Sequence, residues 1–246
     1  MTDNHVHIGW YSDGYHAPRT VWRAAWEAGI TNIVVSSTST CAELYKLAAG
    51  ELCELKRLGG SRVHPILWLT PRMMNTWGIR YMLRCGILWE GVKMHWEAHR
   101  EWYYNRRLTG MALQVARRLG VPVLLHTGDF KECHAGVFQS LCGENPDINF
   151  VLAHGRPAGE TLEVMAACHN TRADTAFMPP QDARRICNAG YAHRLLFGTD
   201  APINLSYYKD MTTAAYIRRC ADELRKALTP AHYTQMMQNT FYSNSL

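Results

Sequence analysis

The 246-residue chain has no uninterrupted apolar run of the ~18 residues that a membrane-spanning helix needs. Its amino terminus opens on a polar strand, where a secretory signal would place a basic and then an apolar stretch. The expectation is a cytoplasmic protein with no membrane partner. Low-complexity tracts, internal repeats and linkers are also missing, and the prolines include a single adjacent pair, Pro179-Pro180. With 47% apolar and 19% charged residues, the composition excludes a disordered chain. The 8 cysteines include no Cys-x-x-Cys pair. Reduced thiols are expected, which argues against disulfides and cysteine-held zinc. The net charge of +5 comes without a Lys/Arg block, so it favours anionic ligands mildly and indicates no nucleic acid.

One large core is the simplest use of this length, which is near that of a single α/β barrel. Eight segments have strand composition: the first around His5–Gly9, then 31–36, 62–69, 91–95, 121–126, 148–154, 171–175 and 194–199. Pro65 argues against pairing in the first half of the third. Helical patterns at 19–29, 42–58, 75–85, 107–119, 135–142, 159–168 and 181–189 alternate with the strands, and 209–227 and 230–240 end the chain. Gly9, Gly14 and Pro18 mark residues 9–18 as a loop. Alternating strands and helices imply a parallel sheet, and eight repeats favour closure into a single (β/α)8 barrel over residues 1–246.

Polar residues cluster at strand ends. His5 and His7 are two apart in a strand, so their imidazoles share a face, opposite Val6 and Ile8. Lys93 and His95 close the fourth strand, His126 the fifth and His154 the sixth, and Asp200 follows the eighth. A barrel brings these ends to one mouth, whereas an open sheet would spread them along a line.

The motifs Asp3-x-His5-x-His7-x-Gly9, Gly91-Val-Lys93-Met-His95, Val123-Leu-Leu-His126-Thr-Gly128, Val151-Leu-Ala-His154-Gly155 and Phe197-Gly-Thr-Asp200-Ala-Pro202 occur in order over residues 1–202. With them the chain resembles the amidohydrolase superfamily, most closely its compact amidohydrolase-related branch of hydrolases and decarboxylases. The resemblance implies that His5, His7, His126 and Asp200 are metal ligands and that His154 is a second-metal ligand or a catalytic imidazole. It also implies a carbamylated Lys93 bridge if two ions are present. The small β-sandwich that many larger members place before the first strand is not expected here. Arg156 stands where a second glycine is common after His154-Gly155.

Neutral imidazoles with a carboxylate form a borderline-hard site, suited first to Zn²⁺ and also to Mn²⁺, Fe²⁺ or Co²⁺. A single ion with uncarbamylated Lys93 is the expectation, against two bridged ions; Lys93 paired to Asp200 is the alternative. Such a metal acidifies a bound water, with Asp200 suited to take its proton and His154 to polarise the substrate oxygen. The expected activity is hydrolysis of a small, anionic carbonyl compound, a lactone, amide or ester. The alternative is a decarboxylase or hydratase on the same scaffold. A nuclease ranks lower, because the related DNase family carries glutamate where Lys93 stands. A barrel keeping a purely structural metal is the non-enzymatic reading. Arg156, His95 and Trp96 are the expected substrate contacts, with Arg156 pairing to Glu160 as the alternative. The aromatics Trp96, Trp102, Tyr103 and Tyr104 either line a pocket or cover a helix, and a homo-oligomer stays open.

Overall fold

In the computed structural model, residues 1–242 are described, apart from the side chain of Tyr103. One nine-stranded sheet organises the chain: β1 (Thr2–Tyr11), β2 (Gly14–His16), β3 (Asn32–Ser37), β4 (Val63–Leu69), β5 (Gly91–Met94), β6 (Val123–His126), β7 (Phe150–Ala153), β8 (Thr171–Asp174) and β9 (Leu195–Leu196). Its order is β2-β1-β3-β4-β5-β6-β7-β8-β9, and every pairing is parallel except the antiparallel β1–β2 hairpin. Residues after β9 run beside β1. There Asn4 N–H donates to Phe197 O at 2.9 Å, Asp200 N–H to His5 O at 2.8 Å and His7 N–H to Ala201 O at 2.7 Å. The sheet therefore curls far enough for its two ends to exchange backbone hydrogen bonds.

Two-residue periodicity divides the apolar side chains into two clusters. Val34, Ile66, Leu124, Val151, Ala153, Leu196 and Phe241 form the smaller one. Their strand neighbours Val35, Leu67, Val123, Leu125 and Leu152 belong to the larger cluster, with residues of the flanking helices. Strands apolar on both faces are what a parallel sheet covered by helices requires. The carboxy-terminal tail completes the smaller cluster: Phe241 N–H donates to Asn4 Oδ1 at 2.7 Å, and Asn4 Nδ2 donates to Phe197 O at 2.9 Å.

All eight expected strands are present, with local differences. Residues 9–18, expected as a loop, contain the end of β1 and a hairpin that turns at Ser12-Asp13 into β2, with Gly9 at φ +97° and Gly14 at φ +135° in the paired strands, backbone values that glycine reaches without strain. Pro65 lies inside β4 in register with Val35, and its carbonyl accepts from Glu90 N–H at 2.8 Å; its missing donor is not needed there. The last strand keeps only two residues. The helix expected at 135–142 is a 3-10 turn, Ala135–Phe138, followed by Gln139–Gly143. Helix Tyr45–Gly59 starts late because a 3-10 turn, Thr38–Thr40, precedes it, capped by the Ser37 side chain accepting from Ser39 N–H. All eight cysteines are free thiols, and no described helix is long and apolar enough to cross a membrane.

Candidate active site

β1 supplies two imidazoles whose rear nitrogens are tied down. His5 Nδ1 lies 3.0 Å from Asp174 Oδ2 at the end of β8, and His7 Nδ1 lies 2.9 Å from Ser36 Oγ in β3. Asp174 is fully buried and its Oδ1 accepts the backbone N–H groups of His154 (2.9 Å) and Ala176 (3.0 Å). A carboxylate can only accept, so His5 carries its hydrogen on Nδ1 and turns a lone pair outward at Nε2. The two Nε2 atoms are 3.2 Å apart, and Asp200 Oδ1 lies 3.1 Å from that of His5 and 2.9 Å from that of His7. Lys93 Nζ, in β5, is 2.9 Å from each Nε2 and 4.4 Å from the centre of the Trp68 ring.

Burial, and then the charge of Lys93, pushes His5 and His7 down to about 3, so both are neutral at ordinary pH. Burial likewise lowers Lys93 to about 8, partly offset by Asp200. For Asp200, burial acts upward, but His5 and His7 outweigh it and hold the carboxyl well below the usual range. Two neutral imidazole nitrogens and an ionised carboxylate oxygen form an N/O donor set that fits a divalent ion such as Zn²⁺ or Mn²⁺. Asp174, His5 and His154 make a second close group, in which Asp174 already holds His5 by its rear nitrogen.

His126, expected beside the other ligands, is outside that donor group. Its Nδ1 is 3.2 Å from His154 Nε2 and its Nε2 is 3.2 Å from Glu97 Oε2. His154 Nδ1 faces the carbonyl of Ala176 at 3.0 Å and so donates to it. His154 and Asp200 both have left-handed backbones, at φ +68° and +61°, strain of the kind that gathers at working sites. His95 stacks on His126 with ring centres 3.6 Å apart and on Trp68 at 5.4 Å.

These groups face a cavity of about 620 Å³ lined by His7, Lys93, His95, His126, His154, Arg156 and Asp200, with Trp10, Tyr11, Trp68, Phe130, Phe177 and Tyr207 around them. Arg156 lines it, but its partner is Asp129, at 3.1 Å; Glu160 instead binds His134 at 3.0 Å and Gly136 N–H at 2.9 Å. Trp96 does not line the cavity, contrary to expectation. It is buried, its ring against Phe138 and Trp102, because the chain after β5 turns that side chain into the core. Trp102 is buried and Tyr104 is exposed, while the side chain of Tyr103 lies outside the described residues. Sequence reasoning missed Asp174, Ser36, Glu97 and Trp68. Asp174 had a signal, since like the histidines it is a polar residue at the end of an expected strand. Glu97, in an irregular loop, had none.

Residues 80–230 match the amidohydrolase family. The chain belongs to this family of enzymes. Solved structures with the same fold include a probable 2-pyrone-4,6-dicarboxylic acid hydrolase from Acinetobacter baumannii with citric acid bound (13% identity, TM-score 0.67, covering 97% of this chain and 96% of that one). A 4-oxalomesaconate hydratase from Rhodopseudomonas palustris is similar at 12% identity and TM-score 0.61, covering 97% and 93%. So is a 5-carboxyvanillate decarboxylase from Novosphingobium aromaticivorans, complexed with manganese and 4-hydroxy-3-methoxy-5-nitrobenzoic acid, at 11% identity and TM-score 0.59, covering 89% and 77%. No curated protein matches the chain in sequence. Among these neighbours one fold serves several reactions, and the choice among them rests on the site.

Proposed function

We propose that this amidohydrolase is a metal-dependent hydrolase of a small anionic carbonyl compound, a lactone, amide or ester, working at the mouth of a closed (β/α)8 barrel. Backbone bonding between β1 and residues 197–201 supports the closure. The observation that carries the function is the convergence of His5 Nε2, His7 Nε2 and Asp200 Oδ1 within 3.2 Å of one another, with the rear nitrogens of both rings already engaged. A divalent ion held there, Zn²⁺ first and otherwise Mn²⁺, Fe²⁺ or Co²⁺, would polarise the substrate and acidify water.

Asp200, ionised and at the cavity, accepts a proton from the attacking water and returns it to the leaving group. His154 has its Nδ1–H committed to Ala176, so it acts through Nε2, beside His126. His126 is a fourth ligand only by giving up its bond to His154 or to Glu97. Lys93 Nζ donates to the same two Nε2 lone pairs that the ion needs, so it swings aside, uncarbamylated, when a single ion binds. Arg156 binds the substrate anion by exchanging Asp129 for it, a bidentate use of its planar fork. The eight free thiols suit a cytoplasmic setting.

Elemental analysis tests the metal. Wild-type protein should carry a divalent ion and the His5→Ala/His7→Ala variant should carry at least tenfold less; equal contents would sink the proposal. Arg156→Met should lower kcat/KM for an anionic lactone by about 10- to 100-fold and leave metal content unchanged. An equal loss on a neutral ester would mean that Arg156 supports the fold instead. The second reading, a decarboxylase or hydratase, draws support from the folds shared with proteins of those activities. Product analysis separates it, since carbon dioxide release or addition of water without bond cleavage would replace hydrolysis.

A further inference from the structure

We propose that His95 is an uncharged hydrogen-bond donor in the cavity, presenting Nε2–H to a carboxylate or carbonyl oxygen of the substrate. This deepens the reading that the cavity takes a small anion, and rests on it. Ala98 N–H donates to His95 Nδ1 at 3.1 Å. A backbone amide can only donate, so Nδ1 must offer its lone pair, and the ring hydrogen resides on Nε2. Nδ1 being taken, any hydrogen bond from His95 to the contents of the cavity it lines runs through Nε2–H.

The ring is also immobilised. It lies nearly parallel to His126, at 3.6 Å between centres and 13°, and to Trp68, at 5.4 Å and 12°. A donor held in this way binds without the loss of rotamer freedom that a mobile side chain incurs. The donor also selects by chemistry. An N–H group rewards an acceptor oxygen and offers nothing to an amine; Lys93 and Arg156 line the same cavity, together with the carboxylates of Glu97, Asp129 and Asp200. The substrate class is therefore a small carboxylate, one of whose oxygens meets the His95 N–H.

Isophthalate is a suitable probe: it is rigid, carries two carboxylates and has no bond for hydrolysis to cut. In protein labelled with ¹⁵N-histidine, the His95 signals, assigned by their absence from His95→Gln, should show a bare Nδ1 and a protonated Nε2. The Nε2–H resonance should shift when isophthalate is added. By calorimetry, His95→Phe, which keeps a ring in the stack, should bind isophthalate about 10- to 100-fold more weakly. His95→Gln, whose amide can place an N–H near the same point, should stay within a few-fold of wild type. A protonated Nδ1 overturns the proposal, as does unchanged affinity in His95→Phe or no binding by wild type. If His95→Phe does not fold, the two wild-type resonances still decide. Since the probe is inert, intact binding through His95 in a protein that hydrolyses nothing would remove the hydrolase reading and leave this one standing.

Discussion

A single carboxylate, Asp174, joins parts of the site that lie far apart in the chain. One of its oxygens orients the His5 ring, and the other accepts the amides of His154 and Ala176. Asp174→Asn can keep the two backbone bonds through its remaining oxygen, but it turns an N–H₂ group toward His5 Nδ1. His5 must then move its hydrogen to Nε2, where it blocks the lone pair that faces Asp200. We expect Asp174→Asn to fold with a near-normal Tm and to lose about 10- to 100-fold in metal affinity, the usual cost of disturbing a group behind a ligand. Competition with a chromophoric chelator measures this, and an unchanged affinity would show that Asp174 does not set the His5 tautomer.

Among the elements, β5 and the carboxy-terminal tail depend on each other through Gly91. A Cβ on Gly91 would lie 2.4 Å from Phe241 Cε1 and 2.6 Å from Ile66 Cγ2, closer than carbon atoms pack. Phe241 is fixed by the hydrogen bond that its backbone N–H donates to Asn4 Oδ1 and cannot withdraw freely. Gly91→Ala should therefore destabilise the fold by about 1–3 kcal/mol, the range for overfilling a packed core. Urea midpoints would register the loss, and the double variant Gly91→Ala/Phe241→Leu should recover part of it. If Gly91→Ala matches wild type, the tail does not pack against β5 as described. The tail's role was invisible in the sequence, where residues beyond 240 carry no pattern, whereas the strand itself was plain from its apolar run.

For the whole molecule, the buried site should make stability depend on acid. His5 and His7 are lowered from 6.5 to about 3 by burial. Between those values the unfolded chain binds protons there and the native chain does not. Their contribution to stability is thus full above pH 6.5 and falls as pH drops toward 3, by about 1.4 kcal/mol per pH unit for each imidazole. Asp3 has the opposite sign. Burial raises it from 3.8 to about 7 against its hydrogen bond with Thr199, so the native state holds the extra proton, and its contribution is lost as pH rises through 7. The two imidazoles outnumber it. Urea midpoints of metal-free protein should fall from pH 6.5 to 4.5, more steeply in Asp3→Asn, and level midpoints in both would contradict this account.

Alternation of strand and helix composition was enough, by itself, to determine a parallel α/β architecture, because apolar periodicity is a local property of consecutive residues. The spacing of His5 and His7 likewise determined that they share a face, since successive side chains of a strand point to opposite faces. Lys93, His154 and Asp200, each near a strand end in the sequence, line one cavity. Only the tertiary structure decided which atoms meet. His126 bonds to His154 and Glu97 instead of joining His5, His7 and Asp200, Trp96 turns into the core, and Arg156 pairs with Asp129. Asp174 becomes the anchor of His5 although 169 residues separate them. Such contacts depend on how far the sheet curls and how each loop leaves its strand, and those are set by packing among segments distant in sequence, which no local pattern records.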